Sequence, residues 1–195
     1  MRGELVVFAG APNAGKSSLF NALLKRERAI VTPHPGTTRD TLEATVDLHG
    51  VPLTFIDTAG LRERAEEIEA IGIQRTREQM ESADLILFII DRNDAFDEPI
   101  REYERIRTLP HLLIFNKCDE VPSEEEKGRL KENFQGKGRK GTLFVSALKR
   151  EGLAKVEQAL VDHLAAEQSE GGETNIITSA RHEKALRTAN DSLST

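Results

Sequence analysis

The chain has no tryptophan, one tyrosine and one cysteine among its 195 residues, and aromatic residues make up 5%. The single cysteine, Cys118, excludes an internal disulfide framework and a cysteine-rich zinc module. No apolar run approaches the roughly 18 to 20 residues that a transmembrane helix needs. The apolar stretch within MRGELVVFAG is too short for a secretory signal. An excess of positive charge is also missing. The 27 Lys and Arg residues face 33 Asp and Glu, a net charge of −6, which argues against a stand-alone nucleic-acid binder with its broad positive field. A local basic cluster, Lys137, Arg139 and Lys140, reads as a solvated glycine-rich turn. The expected setting is cytoplasmic, without membrane contact.

With 38% hydrophobic and 31% charged residues, the composition is that of a globular domain long enough to bury a full core. Apolar runs alternate with helical patterns, the signature of an α/β domain with a mostly parallel sheet. Strands are expected at Glu4–Ala9, Thr41–Leu48, Val51–Ile56, Asp84–Ile90, Leu112–Phe115 and Thr142–Val145. His49-Gly50 joins the second and third as a hairpin, so one edge strand of the six runs antiparallel. Helices are expected near Lys16–Lys25, Ala65–Glu81, Pro99–Thr108, Ser123–Asn133 and Leu153–Ala166, on both faces of the sheet. This domain spans residues 1–167. A polar linker is expected over 168–175, then a truncated helical segment over 176–195.

Gly10-Ala11-Pro12-Asn13-Ala14-Gly15-Lys16-Ser17 fits the pattern G-x-x-x-x-G-K-S/T between a strand and a helix. Glycines let the backbone turn its N–H groups toward phosphates, and the helix N-terminus adds its dipole. Ala14, Gly15, Lys16, Ser17 and Ser18 then cradle the phosphates, with Lys16 reaching the β/γ-phosphates as a catalytic cation. The Ser17 hydroxyl is a Mg²⁺ ligand.

Three further motifs follow. Asp57-Thr58-Ala59-Gly60 ends a strand, placing Asp57 to hold Mg²⁺ through water and Gly60 to approach the γ-phosphate. Asn116-Lys117-Cys118-Asp119 ends another; the Asp119 carboxylate matches the paired N1–H and N2–H₂ donors of guanine, which adenine lacks. Ser146-Ala147-Leu148 follows the last strand, where backbone N–H groups can close over the guanine O6. Taken singly, Asp57 is also readable as a strand-end cap, and Asn116 and Asp119 as turn formers. Taken together, they lie on one edge of the sheet, where α/β folds bind ligands. The four motifs describe a P-loop GTPase fold that binds GTP.

Ala29–Asp40, AIVTPHPGTTRD, holds two prolines and a glycine and is expected to be a loop over the nucleotide. Thr32, Pro33, His34, Pro35, Gly36, Thr37 and Thr38 would line it, with Thr38 on Mg²⁺ as the catalytic switch threonine. Leu61 follows Gly60, where a glutamine would orient water, so catalysis must differ or be slow.

GAPNAGKSSLF, AIVTPHPGTTRD, DTAGLR and EAIGIQR together resemble the G domain of the bacterial tRNA-modification GTPases of the MnmE (TrmE) family, within the Era-like P-loop GTPases. The resemblance covers Gly3 to Ala166. It implies a K⁺ site made by Asn13, the carbonyls of Thr32 and His34, and Thr37. On its residue type alone, Asn13 is equally a turn former. The resemblance also implies that Glu69 is catalytic, orienting the attacking water through a second water. It further implies a homodimer formed through G domains in the GTP state, a flavin-dependent partner (MnmG or GidA), and tRNA contact mainly through parts outside this stretch. The alternatives are a ribosome-assembly GTPase of the Der or Era kind, and a non-hydrolysing switch that recruits a partner.

Overall fold

The computed structural model describes residues 4–26, 42–48, 51–57, 78–93, 96–120 and 122–170. Six strands form one sheet: β1 (Glu4–Ala9), β2 (Leu42–Leu48), β3 (Val51–Asp57), β4 (Leu85–Asp91), β5 (His111–Asn116) and β6 (Arg139–Phe144). Their order is β2-β3-β1-β4-β5-β6. Four neighbouring pairs are parallel, and β2 with β3 is antiparallel, Leu48 opposing Val51. The helices are α1 (Lys16–Arg26), α2 (Asp97–Ile106), α3 (Glu124–Glu132) and α4 (Leu153–Glu170), and residues 78–82 are also helical. The mostly parallel sheet with one antiparallel edge is as expected.

The central strands are apolar on both faces because both faces are covered. All seven residues of β4 and all six of β5 are buried. Alternation sorts them into two cores. Val6, Phe8, Leu87, Ile89, Leu112 and Ile114 meet Leu19 and Leu23 of α1 and Leu153, Val156 and Leu160 of α4. Val7, Ala9, Ile86, Phe88, Leu113 and Phe115 meet Tyr103 and Ile106 of α2 and Leu130 of α3. Helices therefore flank both faces. On β2, Ala44, Val46 and Leu48 are buried while Asp47 is exposed, the alternation of an edge strand.

Several boundaries differ from those expected, each for a local reason. Strand β5 begins at His111, whose imidazole is fully buried and bonded to the Leu109 carbonyl at 2.8 Å and the Tyr103 hydroxyl at 3.0 Å. Strand β6 begins at Arg139, so Arg139 and Lys140 are strand residues rather than a free turn. The chain before them packs closely on α2: a Cβ at Gly136 would meet the Tyr103 hydroxyl and the Arg107 carbonyl, and one at Gly138 the Leu109 carbonyl. Helix α2 starts two residues before Pro99, which its first turn tolerates because that N–H has no helical partner. Helix α3 is capped by Ser123, whose hydroxyl accepts from the Glu126 N–H at 3.2 Å. Helix α4 continues to Glu170, past the expected end at Ala166. The His49-Gly50 turn, residues 65–77 of the expected helix, and the segment 176–195 lie outside the described residues.

Candidate active site

Parallel strands put their C-termini on one edge, and three loops leave that edge: Gly10–Gly15 after β1, Lys117–Asp119 after β5, and Ser146–Leu148 after β6. Asp57 ends β3 on the same edge, one strand from the phosphate loop, with its backbone in register with Phe8.

The phosphate loop takes a shape that L side chains resist. Gly10 has φ +138°, Gly15 φ +92°, and Asn13 adopts the left-handed region at φ +61°. A Cβ on Gly10 would collide with the Ile89 carbonyl, and one on Gly15 with the Asn116 amide. Both glycines are therefore demanded by close approach as well as by φ. Lys16 is buried. Its ammonium lies among the loop's own oxygens, donating to the carbonyls of Gly10 at 2.9 Å and Ala11 at 2.7 Å. Helix α1 starts there with no acidic residue in its own first turn, so its first-turn residues do not offset the positive end of its dipole, which faces the loop.

Asn116 joins the loops. Its side-chain N–H donates to the Ala14 carbonyl at 3.0 Å, and its side-chain oxygen accepts from the Ala147 N–H at 3.1 Å. It is 2% exposed. Asp119 is held in turn: the Ser146 hydroxyl donates to one carboxylate oxygen at 2.5 Å, and the Lys149 ammonium donates to the Asp119 carbonyl at 2.6 Å. The Lys149 N–H donates to the Ser146 hydroxyl oxygen at 3.0 Å. Cys118 is buried beneath these groups, its N–H bonded to the Val145 carbonyl at 3.0 Å. Burial pushes its thiol above the ordinary range, which keeps it protonated.

Together the loops enclose a cleft of about 350 Å³. Asn116, Lys117, Asp119 and Ala147 form one wall, and Leu148, 84% exposed, stands at the rim. The other wall is helix α1, and part of it escaped the sequence motifs: Asn21, Ala22 and Lys25 join Gly15 and Ser18, and Arg150 closes the mouth. Helical spacing held the signal, since 18, 21, 22 and 25 are i, i+3, i+4 and i+7. Lys25, Lys117 and Arg150 give this cleft a cationic lining in a chain of net charge −6. The arrangement suits an anion that carries a flat hydrogen-bonding group.

The described residues thus bring together Asn13, Ala14, Gly15, Lys16, Ser17, Ser18, Asn116, Lys117, Asp119, Ser146, Ala147 and Leu148. Asn13 is exposed on the loop. Thr32, Pro33, His34, Pro35, Gly36, Thr37, Thr38, Thr58, Ala59, Gly60 and Glu69 lie outside the described residues, as does the Asp57 side chain. Among the described residues no three His, Cys, Asp or Glu side chains cluster as a metal site. The hard-oxygen donor among the described side chains here is the Ser17 hydroxyl at the start of α1, and the β3 backbone ends at Asp57 on the same edge. Such a donor fits Mg²⁺ shared with phosphate oxygens.

Residues 5–117 match the family described as 50S ribosome-binding GTPase. Over 193 residues the chain is 42% identical to the tRNA modification GTPase MnmE of Aquifex aeolicus (strain VF5), covering 98% of this chain and 41% of that protein. Over 196 residues it is 42% identical to the MnmE of Natranaerobius thermophilus, again covering 98% of this chain and 41% of the relative. It therefore spans well under half the length of these curated relatives. Among solved structures, the G domain of the T. maritima FeoB iron transporter aligns with a TM-score of 0.60 at 24% identity, over 84% of this chain and 99% of that one. A GTP-binding protein from Sulfolobus solfataricus in complex with GDP aligns with a TM-score of 0.58 at 17% identity, over 84% and 53%. Both likenesses are of fold.

Proposed function

The chain belongs to the family of 50S ribosome-binding GTPases, and from that premise we propose that it is the GTP-hydrolysing, switching domain of a tRNA wobble-uridine modification GTPase similar to MnmE. The observation that carries this reading is Asn116, whose one side chain ties the phosphate loop to the loop that closes over the base. Phosphate and base recognition are thereby built as one unit. Asp119, held by Ser146, accepts the N1–H and N2–H₂ donors of guanine, and the backbone N–H groups of the Ser146–Leu148 loop close over the base O6.

In hydrolysis, water attacks the γ-phosphorus and the bond to the β–γ bridging oxygen breaks, releasing GDP and inorganic phosphate. Charge gathers on that oxygen and on the β-phosphate. Lys16 leaves the Gly10 and Ala11 carbonyls to neutralise it, and the N–H groups opening α1 add their dipole. Ser17, Thr38 and Asp57 would hold Mg²⁺, which when bound offsets the charge of the β- and γ-phosphates. Asn13, Thr32, His34 and Thr37 would hold K⁺, placing a positive charge where other GTPases use an arginine finger. Glu69 orients the attacking water through another water, a task that Leu61 cannot perform. Two copies pair through their G domains in the GTP state. In the longer protein this cycle drives a cytoplasmic reaction on tRNA with a flavin-dependent partner, MnmG or GidA. No described helix is long and apolar enough to cross a membrane.

The family's description favours a second reading, a ribosome-assembly GTPase of the Der or Era kind. Co-sedimentation with 50S subunits in GTP but not GDP would favour it. The leading reading is tested by GTP turnover in K⁺ and in Na⁺ at equal ionic strength with Mg²⁺ present. Marked stimulation by K⁺ is expected. Equal slow rates would remove the potassium role and leave a GTPase that awaits a partner.

A further inference from the structure

Asp91 closes β4 on the edge that carries the cleft, yet it does not line the cleft. It is 7% exposed and sits opposite Asn116 in the β4–β5 register. The Arg92 N–H donates to the Asn116 carbonyl at 3.1 Å, so the two strand ends are tied together. The two carboxylate oxygens of Asp91 have separate tasks. Oδ1 accepts from the Asn93 N–H at 2.9 Å and from its side-chain amide at 3.3 Å, which closes the turn after β4. Oδ2 takes the Lys117 ammonium at 2.6 Å.

Lys117 is the unusual partner in this pair. Its backbone is left-handed, φ +60°, and its side chain lines the cleft while 42% exposed. A surface lysine is ordinarily a flexible four-carbon stem that samples many rotamers. This one is fixed at both ends, by its backbone and by a carboxylate on the neighbouring strand. Its methylenes then form a standing apolar wall, against which a planar base can lie without first ordering the side chain.

We infer that Asp91 is a positioning residue for the nucleobase: it holds Lys117 as a fixed wall of the cleft and acts on the flat face of the base rather than on its hydrogen-bonding edge. This inference rests on reading the cleft as a guanine-nucleotide site. Asp119 reads the edge and distinguishes guanine from hypoxanthine, which lacks the 2-amino group. Asp91, acting through Lys117, does not distinguish them.

The experiment titrates GDP and IDP, with Mg²⁺, into the 195-residue chain and its Asp91→Asn, Lys117→Met and doubly substituted variants. Asparagine keeps an oxygen for the Asn93 turn and loses the charge. Asp91→Asn should weaken both nucleotides by one common factor, roughly three- to tenfold, the scale for ordering one rotamer-rich side chain. The GDP-to-IDP ratio should stay where it was. In the Lys117→Met background the same substitution should change affinity by less than about twofold, since the coupled partner is gone. Unchanged affinity in Asp91→Asn overturns the inference. So does an equal loss in both backgrounds, which would assign the effect to the turn. Should Asp91→Asn fail to fold, Asp91→Glu carries the same test: a shifted carboxylate must weaken both nucleotides together, and only while Lys117 is present. A parent chain that binds no GDP removes the nucleotide reading itself, whereas tight GDP binding without coupling removes only the positioning role.

Discussion

Ala14 and Asn116 lie 102 residues apart in the chain and are joined by a 3.0 Å hydrogen bond, from the asparagine amide to the alanine carbonyl. The other end of the same amide accepts from Ala147. Neither the phosphate loop nor the base-closing loop is therefore shaped by its own residues alone. Replacing Asn116 with Ala leaves a buried carbonyl and a buried N–H without this partner, at about 1–3 kcal/mol each. We expect Asn116→Ala to lose about 2–4 kcal/mol of stability by urea unfolding. Nucleotide affinity should fall further than that loss explains, which calorimetry on the still-folded fraction would show.

The carboxylate of Asp119 is pinned by the Ser146 hydroxyl, so its base-reading role can be altered with little change of shape. Asp119→Asn replaces an acceptor pair with one acceptor and one donor, which suits xanthine, whose 2-position carries an oxygen. GDP should bind about 10- to 100-fold more weakly, the scale of one or two charge-assisted hydrogen bonds, while XDP binding improves. Competition of the two nucleotides for the same protein would settle the direction. A variant that keeps its preference for GDP would remove Asp119 from base recognition.

Gly10 leaves no room for a side chain, because a Cβ there would strike the Ile89 carbonyl of β4, a backbone atom of a strand residue paired with Ile114 of β5. Its φ of +138° adds strain for any other residue. Gly10→Ala should cost about 1–3 kcal/mol and weaken GDP more than a matched Ala substitution on the exposed face of α2, such as Glu98→Ala. Thermal melts with and without GDP measure both effects.

His111 predicts a pH dependence. A carbonyl can only accept, so the bond to Leu109 puts the proton on Nδ1, and Nε2 accepts from the Tyr103 hydroxyl. Burial raises the Tyr103 phenol above its ordinary value, which keeps it a donor. Burial likewise lowers His111 below its usual 6.5, opposed by the Leu109 bond and aided by Arg139. The unfolded chain therefore takes up this proton at a higher pH than the folded chain does. The stabilising effect is fully present above about pH 6.5 and is lost as pH falls from there through the folded-state value. Within that window the slope approaches at most about 1.4 kcal/mol per pH unit. Unfolding curves between pH 5 and pH 7.5 should show the slope in the parent and lose it in His111→Gln.

Much of this fold could be read before any coordinates. The apolar runs of β4 and β5 and the alternation of β2 carry their own burial pattern, and the glycines of the phosphate loop announce its turns. Strand β6 was harder, because Arg139 and Lys140 mask its start and the contacts that seat it come from α2. The site divided in the same way. Asn116, Lys117 and Asp119 stood out as a tetrapeptide at a strand end. Asp91 did not, since nothing local marks an aspartate as the partner of a lysine 26 positions later. Lys149 and Arg150 fell just beyond the Ser146-Ala147-Leu148 motif, yet one grips the Asp119 carbonyl and the other lines the cleft.

The place of β1 between β3 and β4 has a consequence for the order in which the molecule is made. Of these six strands β1 is made first, yet it ends up inside the sheet, and neither of its partners exists when it is made. Its last residue is followed by about 80 more before β4 is complete, roughly 4 to 16 s at ordinary rates of synthesis. Val6, Val7 and Phe8 have no strand on either side until β3 ends at Asp57, and the β4 side stays open until β4 is made. The nascent chain must keep them from foreign strands, so slowed elongation over residues 60–90 should increase chaperone capture.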